Sequence, residues 1–140
     1  MCGSIVTPMT EMMNKTAPTI LLVDDDPLIR ELGQELLEHL GYRVETAGDA
    51  TEALKKYQKS GQVDLVLLDY FLPDKNGRQV LKDFKALDAR ARVLMASGFF
   101  SFQEAARLKD EGALGLIYKP YRLTDLEHRI QSALKGLSGF

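Results

Sequence analysis

From Thr19 onward the chain alternates five times between a short run of β-branched or leucine-rich residues and a segment of helical length with one apolar side. Few folds accommodate that rhythm. A strand-helix unit repeated in this way builds a parallel sheet whose right-handed crossovers place helices on both faces. The strand candidates are Thr19 to Val23, Arg43 to Thr46, Asp64 to Leu68, Arg92 to Ala96 and Ala113 to Tyr118. Several are apolar on both sides, as strands buried within a parallel sheet are. The expected architecture is a three-layer, doubly wound α/β domain of the (βα)5 type around a five-stranded parallel sheet.

The helical segments carry their own punctuation. The first places Leu28, Leu32, Leu36 and Leu40 at spacings of four and stops at Gly41, and the last shows Leu126, Ile130 and Leu134. Asp26-Pro27 offers an N-cap followed by a proline at the first helical position. Asp49 with Glu52, Asn76 with Gln79, Ser101 with Glu104 and Thr124 with Glu127 have the capping-box form, an acceptor side chain followed three residues later by Glu or Gln. Asp26 is therefore read as a cap rather than a metal ligand, and Asp74 and Asn76 as turn residues around Gly77.

Composition closes off several classes of function. The chain has 140 residues, 45% of them hydrophobic and 27% charged, which suits one ordinary domain and leaves no room for a second. Its 18 basic and 20 acidic residues give a formal charge of -2 with no basic block, so neither nucleic acid nor a membrane surface is an expected partner. The single cysteine, Cys2, excludes an internal disulfide and a cysteine-based zinc site. Apolar runs such as Leu65 to Leu68 fall far short of the roughly 20 residues needed to span a bilayer, and no export signal is recognisable, so a cytoplasmic location is expected. Residues 1–18 lack periodicity and are read as a disordered N-terminal tail, in which Asn14-Lys15-Thr16 is a chance glycosylation match. His39 and His128 have no His or Cys neighbour in sequence and are read as solvated.

In open parallel sheets ligands bind beyond the carboxyl ends of the strands. Strand one exits into Asp24-Asp25-Asp26, strand three into Asp69, strand four into Ser97-Gly98 and strand five into Lys119-Pro120. Acid, acid, hydroxyl and ammonium thus converge on one edge. Carboxylates brought together repel unless a cation sits among them, and an all-oxygen ligand set suits Mg²⁺. Asp25 and Asp69 are expected to bind it directly, with Asp24 acting through water. Asp69, at the end of the rigid run Val66-Leu67-Leu68, is the natural nucleophile. Its carboxylate can accept a phosphoryl group if the incoming oxygens are neutralised by the metal and Lys119, with the Ser97 hydroxyl donating to another of them.

These residues carry a resemblance. Leu21-Leu22-Val23-Asp24-Asp25, Leu67-Leu68-Asp69 followed by Leu72-Pro73-Asp74 and Gly77, Met95-Ala96-Ser97-Gly98, and Tyr118-Lys119-Pro120 together resemble a response-regulator receiver domain of the CheY-like kind. The resemblance spans residues 19–136 and leaves 137–140 as a short C-terminal tail. It implies the flavodoxin-like strand order 2-1-3-4-5 and a phosphoacceptor switch in a two-component or phosphorelay pathway. Asp69 would receive its phosphoryl group from a sensor histidine kinase or a histidine phosphotransfer protein, and a downstream protein effector would read the change. The resemblance further implies that Asp24 and Asp25 form the acidic metal pair, that Phe71 supplies a backbone carbonyl to the metal, and that Lys119-Pro120 forms a cis turn. On this reading the protein assists its own phosphorylation without being a turnover enzyme.

Departures from the family pattern are equally specific. Where the family often has Tyr or Phe three residues before the lysine, this chain has Leu116, and Tyr118 shares its strand face. Phe71 and Phe99, each two residues beyond a site residue, are expected to flank the phosphoryl group and restrict the water that would hydrolyse it. Phe99, Phe100 and Phe102 read equally well as packing or as a docking patch. Two other functions compete. A non-phosphorylated pseudo-receiver is opposed by the intact acceptor, acidic pair and lysine. An aspartyl-phosphate phosphatase would want a second Asp two residues after Asp69, where Phe71 stands.

Overall fold

The structure, a computed structural model, describes residues 17–140. The tail read over 1–18, with Cys2 and the sequon at Asn14, lies outside the described residues except for Ala17 and Pro18.

The predicted alternation is observed. Strands β1 (Thr19–Val23), β2 (Arg43–Ala47), β3 (Leu65–Asp69), β4 (Val93–Ser97) and β5 (Gly115–Tyr118) are separated by α1 (Pro27–His39), α2 (Ala50–Ser60), α3 (Gly77–Leu87) and α4 (Phe102–Asp110), and α5 (Leu123–Leu134) follows β5. All strands are parallel, in the order β2-β1-β3-β4-β5. Every residue of β1, β3 and β4 is buried, because helices cover both faces.

Strand alternation sorts the core into two layers. Leu21, Val23, Val66, Leu68, Val93 and Met95 face Ala50, Ala53, Val80, Leu81, Phe84 and Leu108 of α2, α3 and α4. Ile20, Leu22, Leu65, Leu67, Leu94 and Ile117 face Leu37, Leu126, Ile130 and Ala133 of α1 and α5. Each fully buried Leu, Ile, Val or Phe contributes about 1.5–3 kcal/mol relative to exposure.

Local signals at the helix starts fare unevenly. Asp26 accepts from the N–H groups of Leu28 and Ile29, and Pro27 opens α1. Complete capping boxes form at Asn76/Gln79 and Ser101/Glu104, while Asp49 caps through Glu52 N–H. The Thr124/Glu127 box does not form. Here α5 is entered from Arg122 in extended backbone with no side-chain cap, so Thr124 already lies inside the helix.

The spacing-of-four stripe on α1 also needs correcting, since Leu28 and Leu32 are 76% and 45% exposed. Steps of four drift by about 40° each around a helix, so the three steps from Leu28 to Leu40 carry the stripe about 120° round and off one buried line. The inward face is centred on Gly33 and Leu37, with Ile29, Leu36 and Leu40 alongside.

Candidate functional site

Backbone register delivers the strand ends to one edge of the sheet. Asp24 N–H donates to Ala47 O at 3.1 Å, Tyr70 N–H to Ala96 O at 2.9 Å, and Lys119 N–H to Ser97 O at 2.9 Å. Asp24, Asp69, Ser97 and Lys119 are thereby fixed by the ladder that builds the core. The Lys119–Pro120 bond is cis.

Asp24, Asp25 and Asp69 each place a carboxylate oxygen within 4.8 Å of the others. Asp24 is completely buried, Asp69 is 5% exposed, and Asp25 faces solvent. The Lys119 ammonium reaches into the group, 2.6 Å from Asp24 Oδ2 and 3.2 Å from Asp69 Oδ2. Asp24 is further held by Asp26 N–H, which donates to its Oδ1 at 2.9 Å, and by Arg30, which donates to its backbone carbonyl at 2.7 Å. Phe71 N–H donates to Asp69 Oδ1 at 3.3 Å, which places the Phe71 backbone at the mouth of the site.

Burial is the largest influence on the Asp69 carboxyl and pushes its pKa up to about 6. Lys119 opposes that rise and the neighbouring Asp24 charge adds to it. Burial alone would lower the Lys119 ammonium, but its hydrogen bonds and charge pairing with Asp24 and Asp69 outweigh burial and raise it. Three carboxylates and one ammonium leave the cluster short of positive charge. The donor set is hard and all-oxygen, so it fits Mg²⁺.

Ser97 is buried beside this cluster, where its hydroxyl donates to Phe99 O at 3.1 Å and accepts from Phe99 N–H at 3.4 Å. The side chains of Phe71 and Phe99 are 65% and 73% exposed at the rim. Leu116 is buried in the core layer under α3 and α4, and Tyr118 is half exposed at the end of β5. His39 and His128 are exposed.

Sequence reasoning missed two arrangements. Asp74 is more than a turn residue: its carboxylate accepts from Ala50 N–H at 3.1 Å, Thr51 N–H at 3.2 Å and Thr51 Oγ1 at 3.1 Å, tying the loop after Asp69 to the start of α2. Phe100, left open between packing and docking, is buried, and its ring meets Tyr70 at 6.0 Å and Tyr118 at 5.6 Å edge to face. Phe99 and Phe102 are exposed. Both arrangements pair segments far apart in the chain, and no short spacing announces them.

Comparison with known proteins agrees with this geometry. Residues 20–131 match the family model of the response regulator receiver domain. Over 121 residues the chain is 32% identical to the DNA-binding transcriptional regulator NtrC of Azospirillum brasilense, covering 86% of this chain and 25% of that protein. The chain thus spans about a quarter of that curated relative. A CheY-like receiver domain from Methanospirillum hungatei superimposes with a TM-score of 0.79 at 32% identity, covering 86% of this chain and 96% of the other. CheY of Borrelia burgdorferi, solved in a CheX-CheY-BeF3-Mg²⁺ complex, gives a TM-score of 0.79 at 28% identity, covering 82% and 87%. Among the described residues no helix is long and apolar enough to cross a membrane. Sequence match, strand order and the acidic edge all lead to one assignment: the chain belongs to the response-regulator receiver domain family of two-component systems.

Proposed function

We propose that this protein is a phosphoacceptor switch whose Asp69 takes a phosphoryl group from a phosphohistidine on a sensor kinase or histidine phosphotransfer protein, in a Mg²⁺-dependent reaction. The observation that carries this reading is the meeting of Asp24, Asp25, Asp69 and Lys119 from three separate strand ends. In the transfer, the phosphorus–nitrogen bond breaks as a phosphorus–oxygen bond to Asp69 forms, and the leaving imidazole keeps the electron pair and takes up a proton. Bound Mg²⁺ supplies charge neutralisation for the phosphoryl oxygens.

The chain's own residues do the rest. Asp24, Asp25, Asp69 and the Phe71 carbonyl hold the cation. Lys119 holds positive charge beside the acceptor oxygen, with its position fixed by Asp24. The Ser97 hydroxyl turns from Phe99 O toward the new phosphoryl oxygen, drawing on the loop before α4. Phe71 and Phe99 shield the acyl phosphate from water. A downstream protein reads the altered surface. The protein is a switch rather than a turnover enzyme, since each phosphoryl group taken up stays bound until hydrolysed or passed on.

Beryllofluoride, which stands in for a phosphoryl group on a carboxylate, tests the reading. With Mg²⁺ it should shift backbone NMR signals at Asp69, Ser97 and Lys119 in the intact chain and leave Asp69→Asn unshifted. Unchanged spectra of the intact chain would favour a pseudo-receiver instead.

A further inference from the structure

In the order β2-β1-β3-β4-β5, strand β5 pairs with β4 on one side only, so its other edge is open to further pairing. Gly139 takes that edge. Gly139 N–H donates to Leu114 O at 2.8 Å, Leu116 N–H donates to Gly139 O at 3.4 Å, and Gly115 and Gly139 form a parallel bridge. The Gly139 carbonyl also accepts from Arg129 of α5.

The approach is built for glycine at position 115. A Cβ on Gly115 would lie 2.9 Å from Gly139 Cα, closer than real Cβ atoms come, with Gly139 O and Leu94 Cδ2 each at a tight 3.1 Å. Glycine within a strand marks close approach of another backbone, and here the approaching backbone is the chain's own. One residue further on, Phe140 lines a cavity of about 450 Å³ between α4 and α5, with Ala105, Lys109, Leu116, Tyr118 and Arg129 around it. Phe140 remains only 43% exposed, whereas Phe102 across the same groove is 97% exposed.

We propose that residues 137–140 are an intramolecular strap: Gly139 adds to the open edge of β5 in parallel and sets Phe140 as one wall of the apolar groove between α4 and α5. A partner that adds an extended segment to this edge competes with the strap for the backbone groups of Leu114 and Leu116. The segment first read as a short tail is thereby given a role at the surface that it covers. The strap does not depend on phosphorylation of Asp69, so its test stands apart from that of the proposed function.

NMR on the intact chain provides the test. A nuclear Overhauser contact between the α-protons of Gly115 and Gly139 is expected, with the Gly139 and Leu116 amides exchanging at least about tenfold slower than in an unstructured peptide. Gly139→Pro removes the N–H that binds Leu114 O and should abolish that protection at Leu116 while β1 and β3 amides stay protected. An anionic apolar dye, attracted by Lys109 and Arg129, should then fluoresce at least about twofold more strongly with Gly139→Pro and with Phe140→Ala than with the unmodified chain. Absence of the contact, unprotected amides, or equal dye binding by all three proteins would overturn the strap. So would a Gly115–Gly139 contact seen only between differently labelled chains in a mixture, because the segment would then pair with a second copy.

Discussion

Lys119 Nζ lies 2.6 Å from Asp24 Oδ2, a contact between residues 95 apart in sequence, one fully buried and the other partly so. Removing one partner of such a pair leaves an uncompensated buried charge. Lys119→Met should therefore destabilise the metal-free protein by about 3 kcal/mol, read from urea unfolding. Added Mg²⁺ should restore more stability to the variant than it gives the unmodified chain. An unfolding midpoint that does not move would show that the lysine carries no structural charge balance.

Asp69 has the opposite sign. Its folded pKa, about 6 against an ordinary 3.8, means that the metal-free folded state binds more protons than the unfolded chain between those values. Stability contributed by the protonated carboxyl is present below about pH 4 and is lost as pH rises through about 6. Asp69→Asn should thus stabilise the metal-free protein at pH 7 by about 1–2 kcal/mol, after allowance for solvent screening at the mouth of the site. The same proton competes with the cation, so Mg²⁺ affinity should weaken as pH falls through 6. Calorimetric titration at pH 5 and pH 7.5 checks this.

The Asp74 carboxylate is held below its usual pKa: slight burial would raise it, but the Ala50 and Thr51 hydrogen bonds outweigh that and lower it. Its stabilising effect is present above the ordinary carboxylate range and is lost as pH falls through the folded value. Asp74→Ala should cost about 1 kcal/mol at pH 7, the usual size of a lost helix-terminus acceptor, and less in acid. Equal losses at pH 7 and pH 3 would show that the hold of Asp74 on α2 does not depend on its charge, and no loss at either pH would contradict the link itself.

Fold and site were legible in the sequence to different depths, for a physical reason. The alternation of strand and helix, the buried runs of β1, β3 and β4, and the caps at Asp26, Asn76 and Ser101 depend on neighbours within a few residues, and they are visible as spacings. The strand exits follow from the fold, and the structure brings Asp24, Asp25, Asp69 and Lys119 together at them. What failed was decided by partners elsewhere in the chain. Close packing of Leu22 and Tyr121 against Gly33 turns α1 so that Leu28 faces solvent. The grip of Asp74 on α2 and the seat of Gly139 on β5 join segments about two dozen residues apart, with no local pattern to reveal them.

The rim aromatics yield a kinetic prediction. Replacing Phe71 with Asn and Phe99 with Glu should admit water and speed loss of phosphate from Asp69 roughly tenfold, equivalent to about 1.4 kcal/mol of barrier. The decay is timed after rapid removal of the phosphodonor. An unaltered lifetime would retire the shielding role of both rings.

Intact-mass analysis of the protein incubated with acetyl phosphate, with and without Mg²⁺, followed by peptide mapping, bears most directly on the acidic edge as a phosphoacceptor. The expected result is one added phosphoryl group, located on Asp69, formed only when Mg²⁺ is present and absent from Asp69→Asn. An unmodified protein, or a phosphoryl group at another residue, would contradict it.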